Sequence, residues 1–176
     1  MRELKARLRR ELIAQRKAMS ADEKAAADRD IFEQLKPYLD RAGSVFTYAS
    51  TEIEVDTRRI IAYCLEHGIP TALPVSGENE LEFFYINKTD ELIKGRYNID
   101  EPPQLHSAAA DKNTLCIVPA LCADGTGLRL GYGKGYYDRF LSGFCGQSVI
   151  LCYKSFKRNV PAEPHDIRAD FTIFDR

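Results

Sequence analysis

The alternation of apolar and polar positions near the start of the chain predicts two helices. Leucines spaced four residues apart, with one neighbouring isoleucine, form an apolar stripe that indicates a helix over residues 2 to 18. The stripe consists of Leu4, Leu8, Leu12 and Ile13. Ser20 and Glu23 then have the spacing of a capping box, so we expect a second helix from about Ala21 that ends before Pro37.

Short apolar runs rich in β-branched and aromatic residues predict six strands. They cover residues 45–49, 71–75, 81–86, 115–118, 149–153 and 171–174. Between the first two, Asp56 is expected to cap a helix that extends to about Glu66 and stops at Gly68. A further helix is expected over residues 136 to 141. The stretch from 95 to 113 has little periodicity and two adjacent prolines, which favours a loop.

Strands therefore alternate with helices, and several strands are apolar on both faces. This pattern is typical of an α/β fold in which a largely parallel sheet has helices on both faces. A chain of 176 residues fits a single domain, residues 1–176. In such sheets, ligands bind at the carboxyl ends of the strands.

Charge and cysteine content exclude several classes of protein. The 25 Lys and Arg residues are balanced by 26 Asp and Glu residues, so no overall field favours nucleic acid or an anionic membrane. No apolar run approaches the roughly 20 residues of a membrane span. The five cysteines lack metal-site spacing and most lie in apolar runs, which predicts reduced core residues. Because the N-terminus also lacks the apolar region of a secretory signal, we expect a soluble, cytoplasmic protein.

The most specific chemical feature is the stretch Arg129–Arg139, which reads Arg-Leu-Gly-Tyr-Gly-Lys-Gly-Tyr-Tyr-Asp-Arg. Its three alternating glycines allow close backbone approach, so that successive N–H groups can converge on an anion. Lys134 and Arg129 can add full charges. The stretch lacks the Gly-Lys-Ser/Thr ending of a P-loop and the third-glycine offset of a dinucleotide motif. Phosphate binding is the favoured interpretation, and a tight strand-to-helix turn over packed tyrosines is the alternative.

Charged residues elsewhere fit phosphate binding without requiring it. Asp138 is expected in the first turn of the following helix, as a Mg²⁺ ligand beside phosphates or as a partner of the helix dipole. Lys5 and Arg9 share one helix face, which alone is typical of a solvated flank. Glu52 and Glu54 follow the first strand at its carboxyl end, where they are ligand contacts or surface acids. Further carboxylates near the last strand, which alone would be turn residues, are Asp166 and Asp170.

In their order and spacing, these clusters resemble the 5-formyltetrahydrofolate cyclo-ligase family, whose members are also called methenyltetrahydrofolate synthetases. The resemblance covers nearly the whole chain. The segments that carry it are Lys5–Arg9, Glu52–Glu54, Glu101–Pro102, Leu130–Arg139 and Pro164–Asp166. It implies a three-layer α/β sandwich. It also implies ATP-driven cyclisation of 5-formyltetrahydrofolate to 5,10-methenyltetrahydrofolate, with phosphorylation of the formyl oxygen, attack by N10, and release of ADP and phosphate.

The resemblance implies a role for each matching residue. For ATP, the residues are Lys5, Arg9, Arg129, Leu130, Gly131, Tyr132, Gly133, Lys134, Gly135, Tyr136 and Tyr137. Those with an implied catalytic role are Arg129, Lys134 and Tyr137. For the folate, they are Ala49, Glu54, Tyr97, Tyr132, Gly133, Lys134, Gly135 and Tyr136, and for Mg²⁺ they are Asp138 and Asp170. The expected partners are the folate and MgATP, with neither nucleic acid nor membrane, and the enzyme is expected to be a monomer.

Two other functions fit the same scaffold. A folate- or nucleotide-binding regulator without catalysis would not need the complete set of Lys5, Arg9, Asp138 and Asp170, all of which are present. A relative of the sugar-phosphate isomerases would act on a phosphosugar without ATP. Turnover of the formyl folate together with ADP release distinguishes the cyclo-ligase from both.

Overall fold

The helices of the protein begin and end close to their sequence signals. In the computed structural model, which describes every residue from Met1 to Arg176, they are α1 (Arg2–Lys17), α2 (Ala21–Leu39), α3 (Arg58–Glu66) and α4 (Tyr136–Ser142). Ser20 and Glu23 form the expected capping box of α2. Asp56 accepts a hydrogen bond from the Arg58 N–H at 3.0 Å at the start of α3, and Gly68 follows that helix with a left-handed φ of 68°. None of these helices combines the length and apolar character that crossing a membrane requires.

The prediction that the second helix ends before Pro37 is wrong, because α2 continues through this proline to Leu39. Pro37 lies in the last turn, where it removes a single backbone donor rather than interrupting a long ladder. Leu35 and Leu39, on either side of it, are fully buried. Their burial, about 1.5–3 kcal/mol for each side chain, offsets the lost hydrogen bond.

Six of the ten strands form one twisted sheet. In chain order the strands are β1 (Ser44–Phe46), β2 (Thr71–Ser76), β3 (Leu81–Ile86), β4 (Ile93–Lys94), β5 (Asp100–Glu101), β6 (Thr114–Val118), β7 (Cys122–Ala123), β8 (Arg129–Leu130), β9 (Gln147–Cys152) and β10 (Phe171–Phe174). The sheet order is β10-β9-β6-β1-β2-β3. Every neighbouring pair is parallel except β2 with β3, which confirms the largely parallel sheet.

The first strand is shorter than predicted. β1 ends at Phe46 rather than at Ala49, because the chain turns away from the sheet after it. The carbonyl of Tyr48 accepts a hydrogen bond from the Thr57 hydroxyl at 2.6 Å instead of continuing a strand ladder. The residues between Tyr48 and Thr57 therefore form a turn at the carboxyl end of β1.

Helices cover both faces of the sheet. On one face, Phe140 of α4 packs against Phe46 and Phe83, with ring centroids 6.4 and 4.8 Å apart. Buried residues of α3, β2 and β3 pack together on the other face, and they are Ile61, Leu73 and Ile86. One continuous cluster of 34 buried residues forms the main core, as expected for a single α/β domain. The three-layer sandwich that the resemblance implies is thereby confirmed.

The segment from residue 95 to 113 is more regular than the predicted loop. β4 and β5 pair antiparallel around a 3₁₀ turn at Arg96–Asn98. Further along, the N–H of Tyr85 in β3 donates to the carbonyl of His106 at 2.8 Å. Strands of two residues and single strand-to-strand contacts are too short to show an alternation of apolar and polar positions, so the sequence pattern could not predict them.

Four of the five cysteines are buried, and none forms a disulfide. Burial raises the pKa of Cys64 to about 11 and the pKa values of Cys116 and Cys152 to about 12. These thiols stay protonated at neutral pH. The prediction of reduced core cysteines is confirmed for them.

Candidate active site

The glycine loop, residues 131–135, follows a short antiparallel hairpin formed by β7 and β8. The Leu121 N–H donates to the Leu130 carbonyl across the base of this hairpin at 2.8 Å. Within the loop, Gly133 and Gly135 have φ angles of 94° and 69°, which glycine adopts without strain. Residues 132 to 134 are exposed. The backbone of the loop is therefore accessible to a ligand.

Arg9 extends from α1 to the glycine loop. Its Nε donates to the Gly131 carbonyl at 2.8 Å. Its guanidinium lies over Gly133 so closely that an added Cβ on that glycine would stand 2.9 Å from Arg9 Cζ. The terminal Nη groups of Arg9 make no hydrogen bond within the protein. One face of α1 thus brings a cation with free donors to the loop, whereas the spacing of Lys5 and Arg9 alone was typical of a solvated flank.

Lys5 lies one helical turn earlier, in a charged cluster with the C-terminal segment. Its ammonium group is buried, 2.8 Å from a Glu163 oxygen and 2.7 Å from an Asp166 oxygen. Burial alone would lower the pKa of Lys5, but hydrogen bonds to Asp166 and Glu163 raise it. Lys5 in turn lowers the pKa of Glu163 and, against the effect of burial, that of Asp166. Because Glu163, His165 and Asp166 hold ligand atoms within 4.8 Å of one another, the cluster also has the chemistry of a cation site.

Arg129 and Asp138 form an ion pair beside this cluster. Arg129 Nη2 lies 3.1 Å from Asp138 Oδ1, and its side chain is 5% exposed. The other terminal nitrogen of Arg129 donates to the Ile167 carbonyl at 3.0 Å, while Asp138 Oδ1 accepts from the Ile167 N–H at 3.1 Å. Since Ile167 directly follows Asp166, the carboxylates of Asp138 and Asp166 flank the same short segment. The Arg129 guanidinium itself is engaged within the protein.

Asp170 makes its side-chain hydrogen bonds with β9. Its Oδ2 accepts hydrogen bonds from the N–H and the hydroxyl of Ser148, both at 2.7 Å. These bonds join β10 to β9, and Asp170 shares no hydrogen-bond partner with Asp138. Of the two carboxylates that the resemblance implies for Mg²⁺, Asp138 therefore contacts the segment next to Asp166, and Asp170 contacts Ser148.

Glu54 lies in the turn after β1 and is 6% exposed. Its Oε2 accepts hydrogen bonds from the N–H and the hydroxyl of Thr51 at 2.8 and 2.9 Å, and Thr51 leaves Oε1 unbound. Tyr132 of the glycine loop lies against this carboxylate. Desolvation of the Tyr132 hydroxyl, followed by the charge of Glu54, raises its pKa, although 43% of the residue is exposed. Ala49, at the same end of β1, is partly buried against the core.

The hairpin of β4 and β5 carries Tyr97 to the glycine loop. Tyr97 and Asn98 have φ angles of 61° and 58°, an uncommon conformation for residues other than glycine. The Lys134 ammonium lies 5.7 Å from the centre of the Tyr97 ring. A hydrogen bond with Tyr97 also raises the pKa of Tyr136. Three residues that the resemblance implies for folate, Tyr97, Lys134 and Tyr136, thus form one group beside the loop.

The hydroxyl of Tyr137 is fully enclosed and has no hydrogen-bond partner. Burial, followed by the nearby Cys116 and Glu54, raises the pKa of Tyr137. Its ring packs against the core, which is what the packed-tyrosine alternative predicts for this position. A buried hydroxyl without a partner is destabilising unless a ligand or a water pairs with it.

A comparison with known proteins accounts for this arrangement. The model of the 5-formyltetrahydrofolate cyclo-ligase family matches residues 1–174. The chain belongs to this family. The family match extends over α1, the Glu54 turn, the glycine loop and the segment around Asp166, and it confirms the resemblance seen in the sequence.

Individual members of the cyclo-ligase family are similar over most of the chain. A probable 5-formyltetrahydrofolate cyclo-ligase of Schizosaccharomyces pombe is 33% identical over 139 residues, 68% of each chain. The 5-formyltetrahydrofolate cyclo-ligase of Mus musculus is 25% identical over 189 residues, 96% of this chain and 92% of the mouse protein. The NMR structure of 5,10-methenyltetrahydrofolate synthetase from Aquifex aeolicus superposes with a TM-score of 0.87 at 27% identity, covering 98% of this chain and 90% of that chain.

Two residues around the cyclo-ligase loop were missed by sequence reasoning. Glu163 binds Lys5, and its only signal was its position in a proline-rich turn shortly before Asp166. Arg139 donates to the Lys134 carbonyl at 2.8 Å and to the carbonyl of Asn79 in the turn between β2 and β3. Nothing in the local pattern indicates the contact of Glu163 with Lys5 or that of Arg139 with Asn79, because both depend on how distant segments meet.

Proposed function

We propose that this member of the cyclo-ligase family catalyses the ATP-dependent cyclisation of 5-formyltetrahydrofolate to 5,10-methenyltetrahydrofolate, with release of ADP and phosphate. The observation that carries the proposal is the convergence of Arg9 and the glycine loop, one helical turn from the Lys5 cluster. On the same loop, Tyr132 borders Glu54 and Lys134 borders Tyr97. A single loop therefore joins groups suited to a triphosphate with groups suited to a pterin.

The triphosphate is held chiefly by the loop and by α1. The left-handed conformations of Gly133 and Gly135 turn the backbone so that N–H groups can point to an anion. The free Nη groups of Arg9 and the exposed ammonium of Lys134 add full positive charge. Phosphoryl transfer depends mainly on alignment of the reactants and on charge neutralisation. These groups supply most of both.

The folate is recognised on the other side of the loop. Glu54 Oε1, which Thr51 leaves unbound, can accept hydrogen bonds from the N–H edge of the pterin while Oε2 stays bound to Thr51. The Tyr97 ring, which lies near Lys134 of the same loop, offers an aromatic face. This arrangement directs the formyl group on N5 towards the loop that holds the γ-phosphate.

The chemistry then has two steps. The formyl oxygen attacks the γ-phosphorus of ATP, and ADP leaves. N10 next attacks the carbon of the resulting imidate phosphate, loses its proton and expels phosphate as the N5–C–N10 bridge forms. The first step is needed because an amide oxygen leaves poorly as hydroxide and well as phosphate.

Mg²⁺ fits the acidic side of the site. Asp138 Oδ2 and Asp166 Oδ1 accept no hydrogen bond from the protein, and both carboxylates flank Ile167 beside Lys5. Mg²⁺ is usually bound by one or two carboxylates together with phosphate oxygens. We propose Asp138 as one protein ligand of the ion. Asp170 as the second ligand, which the resemblance implies, stays a prediction, and Asp166 is a further carboxylate beside the segment that Asp138 contacts. When bound there, the ion neutralises charge on the phosphates.

The three residues with an implied catalytic role then differ in what they do. Lys134 is free to contact the transferred phosphoryl group. Arg129 holds Asp138 in position, and its contact with ATP stays a prediction. The unpaired hydroxyl of Tyr137 is available to donate to a ligand or to a water that enters beneath the loop.

Direct turnover tests the proposal. Purified protein mixed with 5-formyltetrahydrofolate and MgATP should form the methenyl chromophore and ADP in equal amounts. Glu54→Gln, which preserves the shape of the side chain, should weaken folate binding and leave ATP binding unchanged. No turnover above a blank overturns the cyclo-ligase assignment, folate binding without ADP release indicates a binding protein, and turnover without ATP indicates an isomerase relative. The monomeric state and the cytoplasmic location stay predictions from the sequence.

A further inference from the structure

Three successive backbone carbonyls in the turn after β1 are each bound by a buried side chain. Arg16 Nη1 donates to Ile53 at 2.9 Å, the Tyr153 hydroxyl to Glu54 at 2.9 Å, and the Tyr48 hydroxyl to Val55 at 3.2 Å. The donors come from α1, from the residue after β9 and from the residues after β1. The middle carbonyl belongs to Glu54, the acid that the proposed function assigns to the pterin.

Arg16 is the least expected of these donors, because it is a buried cation, 3% exposed. Its Nε and Nη2 donate to the carbonyls of Leu121 and Ala120 at 3.0 and 2.8 Å. Its guanidinium also lies 5.2 Å from the ring centre of Tyr153 and 4.7 Å from that of Phe156. Carbonyls on every side of a planar guanidinium, together with aromatic rings, fix its orientation.

The two segments that Arg16 joins differ in how firmly other contacts hold them. Residues 120–121 continue into the β7–β8 hairpin, where Leu121 pairs with Leu130. Residues 51–55 belong to no strand or helix, and their own backbone bond is the one from Glu54 N–H to Thr51 at 3.2 Å. Removing a side-chain donor should therefore loosen the Glu54 turn more than the hairpin that leads to the glycine loop.

The orientation of the Glu54 carboxylate depends on that turn. Its Oε2 is bound to Thr51 within the same turn, so the carboxylate and the backbone move together. We propose that Arg16, Tyr48 and Tyr153 are positioning residues for folate recognition, which orient Glu54 through its backbone without contacting either ligand. This inference rests on the proposed function, since it deepens the role of Glu54 in binding the folate.

Tyr153→Phe is the cleanest test, because it removes the hydroxyl and keeps the ring beneath Arg16. The single proton of this hydroxyl is shared between the Glu54 carbonyl and Asp28 Oδ1, which lies 2.8 Å away, so Arg16→Lys serves as a second variant that leaves the Tyr153 hydroxyl in place. Each variant should raise KM for the formyl folate about three- to tenfold, the effect expected for one lost hydrogen bond to the Glu54 turn. KM for MgATP should change less than about twofold. The matched control is Tyr63→Phe, which removes a hydroxyl bound to Asp40 elsewhere and should leave both KM values unchanged.

A double-mutant cycle separates positioning from general damage. In a Glu54→Gln background, Tyr153→Phe should cause no further loss of folate affinity, measured by calorimetry, because the group that it orients is already altered. An equal rise in both KM values, or an undiminished effect of Tyr153→Phe in the Glu54→Gln background, overturns the positioning role. If the wild-type protein shows no turnover, the proposed function is refuted. The variants test only the positioning role.

Discussion

Replacing Gly133 by alanine tests how the glycine loop and α1 depend on each other. The residue has a φ of 94°, a conformation that costs an L-residue with a Cβ about 1–2 kcal/mol. The new Cβ would also stand 2.9 Å from Arg9 Cζ. The flexible Arg9 side chain can move away, but only by giving up its hydrogen bond to Gly131, for which we allow about 1 kcal/mol because Arg9 is partly exposed.

The two contributions together predict that Gly133→Ala lowers the free energy of unfolding by about 2–3 kcal/mol. For a chain of this size, that corresponds to a fall in Tm of roughly 4–12 °C. Calorimetry or denaturant unfolding of the ligand-free protein measures it. KM for ATP should rise in the same variant, because Arg9 no longer lies over the loop.

Gly131→Ala is the matched control within the same loop. No atom lies within 4 Å of a Cβ at this position, and its φ is not positive. Its stability should therefore stay within about 0.5 kcal/mol of the wild type. In the double variant Arg9→Ala, Gly133→Ala, the backbone strain at residue 133 should remain. The loss of stability should nevertheless be smaller than the sum of the two single losses, because both substitutions remove the same Arg9 contact with the loop. If Gly133→Ala were as stable as Gly131→Ala, the account of the loop would be refuted.

The remaining predictions concern the acidic side of the site and the buried tyrosine. Asp138→Ala should abolish Mg²⁺-dependent turnover and lower the free energy of unfolding by about 1–3 kcal/mol, because buried Arg129 loses its partner; unchanged turnover at saturating Mg²⁺ would contradict this role. Tyr137→Phe should leave the ligand-free protein as stable or up to about 1 kcal/mol more stable, since the hydroxyl has no partner, and should reduce turnover about tenfold; full turnover would exclude a catalytic role. Asp166→Asn should lower stability at about pH 6, because the native pKa of Asp166 beside Lys5 is below its ordinary 3.8. That difference should shrink at about pH 3, as the wild-type carboxylate takes up its proton; denaturant unfolding that gives the same difference at both pH values would disprove it.

The regular elements were predictable because their signals are local. β3 and β10 have the bounds that their apolar, aromatic runs predict, and the capping box fixed the start of α2. The end of α2 was predicted wrongly because the rule that proline ends a helix does not take into account the stabilisation from burying Leu35 and Leu39. The β4–β5 hairpin was missed for the opposite reason, since two-residue strands form by pairing and have no pattern of their own.

The site was predictable to the extent that single residues carry its chemistry. The structure brings Arg9 to the glycine loop and Tyr132 of that loop to Glu54, so residues that the resemblance implies for one site lie together. The contacts of Glu163 and Asp170 were not predictable, since a carboxylate in a turn has the same local sequence whether it binds Lys5, Ser148 or water. Their partners depend on how strands and helices from opposite ends of the chain meet.

The ligand-free site already holds its charged groups in partly desolvated positions. Lys5 and Asp166 are 161 residues apart in sequence, and Arg9 and Gly131 are 122 residues apart, so these contacts form only when the whole fold does. The free-energy cost of removing the Lys5 ammonium from water is therefore offset during folding, by the carboxylates of Glu163 and Asp166, and not when a ligand binds. If the proposed function holds, an entering phosphate would replace these carboxylates and carbonyls as the partner of cations that are already oriented. Little reorganisation would then be left for the reaction itself.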